Sequence, residues 1–264
     1  MKDGSFSLEG KSIKEIVDYA DNLFRGDENK KIEAHKIYKQ VLEKIPNLQD
    51  GEKPYVVRGF IRKRIWDCLR KLGKNSDYFS EAGQDMLVKD NFFKNQKSGF
   101  FLEIGAFDGI EGSNCYHFEK FMNWEGIAIE ASPLQFKKLK KNRNCKLMNI
   151  AIGSENKQVE FYEVVEGFTQ MSGINNLNFK DSFEKIKKKS NSKINKINIE
   201  CKTFEKLVLR DQIIDLISID IEGNESDVLK TINFDKYKIK VIILENNTPK
   251  ELSYLKFFKE KNFY

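Results

Sequence analysis

Cysteine and histidine are scarce in this 264-residue chain, and the scarcity removes several chemistries at once. The four cysteines, Cys68, Cys115, Cys145 and Cys201, form no C-x-x-C pair, so their spacing offers no zinc site. They fall on predicted helices and strands, where buried reduced thiols are common, and the expectation is a cytoplasmic protein. Only two histidines exist, His35 and His117, and neither belongs to an evident Ser-His-Asp or Cys-His arrangement. No window approaches 18 uninterrupted apolar residues, and the opening Met-Lys-Asp-Gly-Ser lacks an apolar signal segment, so no membrane span is expected. Excess charge of one sign is missing too. Lys and Arg number 46 against 40 Asp and Glu, a net of +6. Residues 1–98 hold 20 against 16 and the rest 26 against 24, which leaves the C-terminal part close to neutral. That is no footprint for a nucleic-acid partner, although mild attraction to a phosphate-bearing small molecule is compatible with it.

What is present concentrates between Phe100 and Ser132. An apolar run, Phe100-Phe101-Leu102, leads into Glu103-Ile104-Gly105-Ala106-Phe107-Asp108-Gly109. A second run, Ile127-Ala128-Ile129, ends on Glu130, 27 residues after Glu103. A strand, a glycine turn, a helix and a second strand tipped by an acid form the arrangement with which an α/β sheet holds an adenosine. Glycines let the backbone approach the ligand, and the terminal carboxylate accepts hydrogen bonds from the ribose hydroxyls. A dinucleotide fold needs G-x-G-x-x-G to seat a pyrophosphate on the helix N-terminus. Glycines at 105, 109 and 112 do not fit it. A turn that opens with an acid suits a cofactor with an ammonium group and no phosphate, S-adenosylmethionine.

At these residues the chain resembles the FkbM family of S-adenosylmethionine-dependent methyltransferases. The resemblance takes in Gly83-Gln84-Asp85, Ser113-Asn114, Trp124-Glu125-Gly126 and Asn149-Ile150-Ala151-Ile152-Gly153. It resumes at Asp215–Glu225 and at Val241–Asn246, and so spans roughly residues 80 to 260. It implies a class I, Rossmann-like α/β methyltransferase fold with a doubly wound sheet, and usually O-methylation of a sugar or sugar-containing metabolite. The chain stops at Asn262-Phe263-Tyr264, about where that fold would enter its final antiparallel hairpin, so the hairpin is expected to be absent or truncated.

Two regions are expected, a helical N-terminal cap at 1–75 and a methyltransferase domain at 76–264. Apolar periodicity predicts helices at 11–25, 29–45 and 54–72, the second stopped by Pro46 and the third by Gly73. Ala34, Tyr38 and Pro46 stand as in half of a tetratricopeptide repeat, but such repeats need about three copies to bury a core, and a simple cap is the preferred reading. The third helix carries Arg58, Arg62, Lys63, Arg64, Arg70 and Lys71, either a solvated face or a phosphate-reading or dimer-forming surface. Residues 74–98 read as a polar connector. Strands then alternate with helices: strands at 100–104, 126–130, 146–151, 158–164, 197–201, 214–220 and 240–245, and helices at 113–122, 133–142, 203–210, 224–231 and 249–261. Pro133 opens one helix and Asn224 is placed to cap another. Residues 166–196 form the longest irregular excursion, with a basic run at 185–193, and loops of this kind carry acceptor recognition.

The candidate cofactor residues are Glu103, Gly105, Ala106, Phe107, Asp108, Gly109, Ser113 and Asn114 in and after the turn. Glu130, Ala131 and Ser132 follow the second strand, with Asn149 and Ala151 on the other side of the adenine. Asp220 also borders the cofactor. Asp220, Glu222 and Glu245 lie at strand ends and are the candidate catalytic acids, because an alcohol is a poor nucleophile until a base or metal draws off its proton. Either a lone general base or a site for Mg2+ or a similar hard cation, held by Asp220 and Glu245, meets that need. His117 is the alternative base. The chain lacks the D/N-P-P-Y/F motif associated with amino methylation of nucleic-acid bases. The function expected is O-methylation of a sugar hydroxyl, on a nucleotide-activated sugar destined for a surface (capsule-type) polysaccharide. A methyltransferase for a phosphate-bearing metabolite or a protein side chain is one rival, and a non-catalytic adenosine-binding module another. The partner expected is a small molecule, with no nucleic acid or membrane, and the helical cap is a candidate surface for a homo-oligomer.

Overall fold

The computed structural model describes residues 10–45, 52–175, 192–207, 212–246 and 253–263. Two compact units result, Met1–Ser76 with Thr248–Tyr264, and Asp77–Asn247. The last helix, expected within the methyltransferase domain, therefore groups with the N-terminal unit.

The helical unit starts with α1 (Ile13–Phe24), α2 (Glu28–Lys44) and α3 (Glu52–Lys71). Ser12 caps α1 in a capping box with Glu15, and Asp27 caps α2 by accepting from the Lys30 N–H at 2.9 Å. Ile16 and Ala20 of α1 pack with Ala34, Ile37, Tyr38 and Val41 of α2 and Ile61 and Cys68 of α3. Part of the basic face of α3 has structural work. Arg58 donates to the carbonyls of Leu42 and Ile45 at the end of α2, and Arg64 pairs with Asp21 at 3.1 Å. Gly73, with φ of 65°, ends the helix as expected, the Lys74 N–H reaching back to the Leu69 carbonyl.

The second unit begins with α4 (Gln84–Phe92), a helix where the sequence suggests only a connector. The chain then runs through β1 (Phe100–Ile104), α5 (Tyr116–Met122), β2 (Glu125–Ile129), α6 (Pro133–Asn142) and β3 (Lys146–Met148). After these come β4 (Ala151–Ile152), β5 (Lys157–Val164), β6 (Gly173–Ile174), β7 (Ile194–Lys202) and β8 (Ile213–Ile219). Next are α7 (Glu225–Thr231) and β9 (Lys238–Leu244), and α8 (Ser253–Glu260) belongs to the first unit. Five strands form a fully parallel sheet in the order β3-β2-β1-β8-β9. Its central strands are buried along nearly their whole length, which is why they read as continuous apolar runs. The order reverses between β1 and β8, and ligands of doubly wound sheets bind outside the carboxyl ends of the strands at such a switch point.

A second sheet, β4-β7-β5-β6, is mostly antiparallel. The strand expected at 146–151 is thus two short pieces, one in each sheet. The helix expected at 203–210 shows a single 3-10 turn, Phe204–Lys206, and residues 208–211 lie outside the described residues. Residues 176–191, with most of the basic run, also lie outside them, as do 247–252 before α8. No described helix is long and apolar enough to cross a membrane.

Candidate active site

The loops leaving the carboxyl ends of β1, β2, β8 and β9 build the site. Past β1, Gly105 takes φ of 89°, and the N–H groups of Gly105 and Ala106 both donate to the Ile129 carbonyl. A Cβ on Gly105 would fall 1.7 Å from the backbone oxygen of Asp220, so the turn and the end of β8 touch backbone to backbone. Phe107 (φ 49°) and Glu222 (φ 57°), one in each loop, occupy the left-handed region that L-residues seldom adopt. Such backbone strain gathers where geometry is set for function.

Glu130 ties the turn to the tip of β2. Its Oε2 accepts from the Phe107 N–H at 2.8 Å and its Oε1 from the Ser132 N–H at 2.7 Å. The carboxyl is an acceptor with lone-pair capacity beyond these two bonds, which suits a ribose hydroxyl. Burial pushes this carboxyl up to about 7, helped by the charge of Glu163 and opposed by the N–H groups of Ser132, Phe107 and Ala131. Ser132 caps α6 and donates to Glu163 Oε1 at 2.7 Å. Asn149, exposed, donates to the carbonyls of Glu130 and Ala131 and fixes that corner. Ala131 packs at the margin of the second sheet's core, and Ala151 is buried within it.

Asp220, Glu222 and Glu245 converge, each offering a carboxylate oxygen within 4.8 Å of the others. Burial drives all three upward, and mutual repulsion adds to it. Glu222 reaches about 8 through burial and the charges of Asp220, Glu225 and Glu81. Asp220 and Glu245 titrate as a hydrogen-bonded pair; both are raised by burial, and the bond raises Glu245 while lowering Asp220. The pair therefore keeps a proton to higher pH than either carboxyl would alone. Glu225 lies behind the cluster, accepting from the N–H groups of Ile221 and Gly223. Asn224 stands at the N-cap of α7 but spends its amide on the Ile152 carbonyl instead of capping.

Other expected residues have their side chains committed elsewhere, although the charge of Glu103 still acts on Asp220. Glu103, 2% exposed, has both oxygens engaged by the protein: Oε1 accepts from Ser113 Oγ at 2.7 Å and from the Asn114 and Cys115 N–H groups, and Oε2 pairs with Arg143 at 2.7 Å. It braces the turn through Oε1, and Oε2 keeps a lone pair beyond its bond to Arg143. Ser113 and Asn114 serve the same brace, Asn114 also donating to Ser218 on β8 at 2.9 Å. Asp108 closes its own turn by accepting from the Ile110 and Glu111 N–H groups. His117 does not join the carboxylate cluster. Its ring stacks on Tyr78 at 4.3 Å, and Nδ1 donates to the Asp77 carbonyl at 2.7 Å. An open groove of about 970 Å3 lies at the opposite, amino edge of the sheet, beside Phe100, Glu125 and Lys146, and none of the clustered acids lines it.

A sequence profile described as "Methyltransferase FkbM domain" matches residues 103–263, more than half of the chain. The chain belongs to the FkbM methyltransferase family. Among solved structures it is similar to a methyltransferase FkbM from Methylobacillus flagellatus KT, at 11% identity and a TM-score of 0.37. That similarity covers 74% of this chain and 43% of the other, so this chain spans less than half of that protein's length. No curated protein matches it.

Two charged residues of this FkbM-family site carry no signal in the sequence. Arg143 neutralises Glu103 from 40 positions away. Glu81 adds its charge to the acid cluster from a loop that forms a bridge, Ser80 to Gly112, with the glycine turn.

The raised carboxyls have a consequence for stability. A group whose folded value lies above its unfolded value, near 4.5 for Glu, stabilises the fold below that value and loses the contribution as pH rises through the folded value. With Glu130 near 7 and Glu222 near 8, the thermal midpoint of the free protein is expected to fall between pH about 5 and about 9. Glu222→Gln should flatten the upper part of that fall. Identical pH slopes for variant and wild type, followed by circular dichroism, would show that Glu222 is not held protonated.

Proposed function

We propose that this protein is an S-adenosylmethionine-dependent O-methyltransferase whose acceptor is a sugar hydroxyl. The observation that supports the reading is the backbone contact of Gly105 with Asp220, because the carboxyls of Asp220, Glu222 and Glu245 cluster beside the strand end that meets the glycine turn. When bound, the cofactor supplies a methyl group activated on a sulfonium. Glu130 holds the ribose, and the turn at 105–109 receives the methionine end. Asp220 would take the proton of the acceptor hydroxyl as the methyl group passes to its oxygen, leaving S-adenosylhomocysteine. Holding the three reacting atoms in line accounts for most of the remaining acceleration. Asp220, Glu222 and Glu245 also form an all-oxygen donor set of the kind a hard divalent cation accepts, and such a cation would polarise the same hydroxyl. The sugar, its activation by a nucleotide and its use in surface polysaccharide rest on the family resemblance.

Calorimetric titration with S-adenosylhomocysteine tests the cofactor site. Wild type should bind, and Glu130→Ala should bind at least about 100-fold more weakly, since two hydrogen bonds to a carboxylate are lost. Equal affinities would remove Glu130 from the site. Release of S-adenosylhomocysteine with nucleotide-sugars, free sugars and phosphorylated metabolites, with and without EDTA, then tests acceptor and cation.

A further inference from the structure

One buried ionic group is left unused by that chemistry. Arg143 follows the last residue of α6 and is 4% exposed. Its Nη1 donates to Glu103 Oε2 at 2.7 Å and to the Gly109 carbonyl at 3.1 Å. Its Nε pairs with Glu119 of α5, whose other oxygen accepts from the Asn144 N–H at 2.7 Å. The guanidinium lies over the rings of Phe101 and Tyr116, 5.3 and 5.4 Å from their centroids. Gly109 is closed down on the same side chain: a Cβ there would meet Arg143 Cγ and Leu139 Cδ1, each at 2.7 Å. One arginine thus ties β1, α5 and the glycine loop together.

We infer that Arg143 is a positioning residue for the cofactor, setting the loop at 105–115 in its binding geometry before any ligand arrives. The inference rests on the reading of that loop as the cofactor turn. A buried ion pair is poor value as a stabiliser, because desolvation offsets the attraction and well-packed apolar replacements often do as well. A preformed loop, in contrast, spares the ordering cost that binding would otherwise carry. Arginine suits the position because its planar fork reaches Glu103, Gly109 and Glu119 together, whereas a lysine supplies one compact charge.

Two variants separate positioning from stability. Arg143→Lys keeps the charge and loses the fork. Arg143→Met combined with Glu103→Gln removes the central ion pair at similar volume and leaves Glu119 with the Asn144 N–H. Each is compared with wild type for thermal midpoint, S-adenosylhomocysteine affinity, and KM for S-adenosylmethionine against kcat. A folded variant should bind S-adenosylhomocysteine about 10- to 100-fold more weakly, with KM raised and kcat at saturation largely kept, the effect of a displaced loop rather than of lost chemistry. Wild-type affinity in either folded variant would overturn the inference. Failure of the wild type itself to bind would instead sink the reading of the cofactor site. Hydrogen exchange still decides the role of Arg143 in that case: the Asn114 and Cys115 amides, held by Glu103, should exchange faster in Arg143→Lys, and unchanged protection would overturn it.

Discussion

Asp220→Asn is expected to cut turnover by about 100- to 10,000-fold, the range that a positioned proton acceptor contributes. Asparagine has nearly the volume of aspartate and can hydrogen-bond a hydroxyl, but it cannot take the proton. Affinity for S-adenosylhomocysteine should change far less than turnover. Glu245→Gln makes the informative contrast. Glu245 and Asp220 share a hydrogen bond in the cluster, and a glutamine amide can donate along it. Its loss should be clearly smaller, and the pH at which activity rises should move, because the amide cannot ionise beside Asp220. Initial rates of S-adenosylhomocysteine release, with an acceptor that supports the wild type, check both variants across pH. Full turnover in both would mean that the hydroxyl proton leaves by another route. Sensitivity of the wild type to EDTA, restored by added Mg2+, would transfer the role of these carboxylates to holding a cation.

The carboxyl edge of the sheet was legible because burial on both faces leaves a plain mark. Strands β1, β2, β8 and β9 are largely apolar, and an acid follows the last residue of β2, β8 and β9: Glu130, Asp220 and Glu245. Parallel order and the switch point follow from alternation with helices. The second sheet was harder to read. Its β4 has two residues, and β7 alternates exposed and buried positions amid polar sequence, so local pattern does not say where either strand pairs. Helix α4 was missed because its short sequence, QDMLVKDNF, presents little apolar stripe. Asp85 there serves the loop before it, with its side chain accepting from the Phe79 and Ser80 N–H groups.

Roles were less legible than positions. Glu103 heads the glycine turn and reads as a ligand-facing acid, and only the long-range pairing with Arg143 shows it braced inside the protein. Arg143 in turn reads as ordinary solvated charge at a helix end, after Lys140 and Lys141. A pair 40 positions apart leaves no local period to detect. Placing His117 one turn from the motif likewise said nothing of the Tyr78 ring that stacks on it. The acids that sequence reasoning grouped did come together, because β8 and β9 are parallel neighbours whose carboxyl ends lie side by side.

The closeness of that convergence makes Gly105→Ala the most disruptive small substitution expected in the protein. An alanine at φ of 89° bears the steric cost of the left-handed region, about 1–2 kcal/mol. It would also drive Cβ to within 1.7 Å of the Asp220 carbonyl oxygen, an atom fixed in the backbone at the end of β8. No rotamer relieves that contact; either β8 or the turn must move. The expected loss is about 3–5 kcal/mol, in the tail that only named structural conflicts reach, together with loss of cofactor binding, since both walls of the site shift. Gly112→Ala is the matched control. Its φ is 71° and its Cβ would meet nothing within 4 Å, so it should lose only the conformational part, about 1–2 kcal/mol, and keep its affinity. Denaturant midpoints and S-adenosylhomocysteine titrations of the two variants read the difference directly. If Gly105→Ala were as stable as Gly112→Ala and bound equally well, the glycine turn and Asp220 would not meet, and the carboxylates would lose their place beside the transferring methyl group.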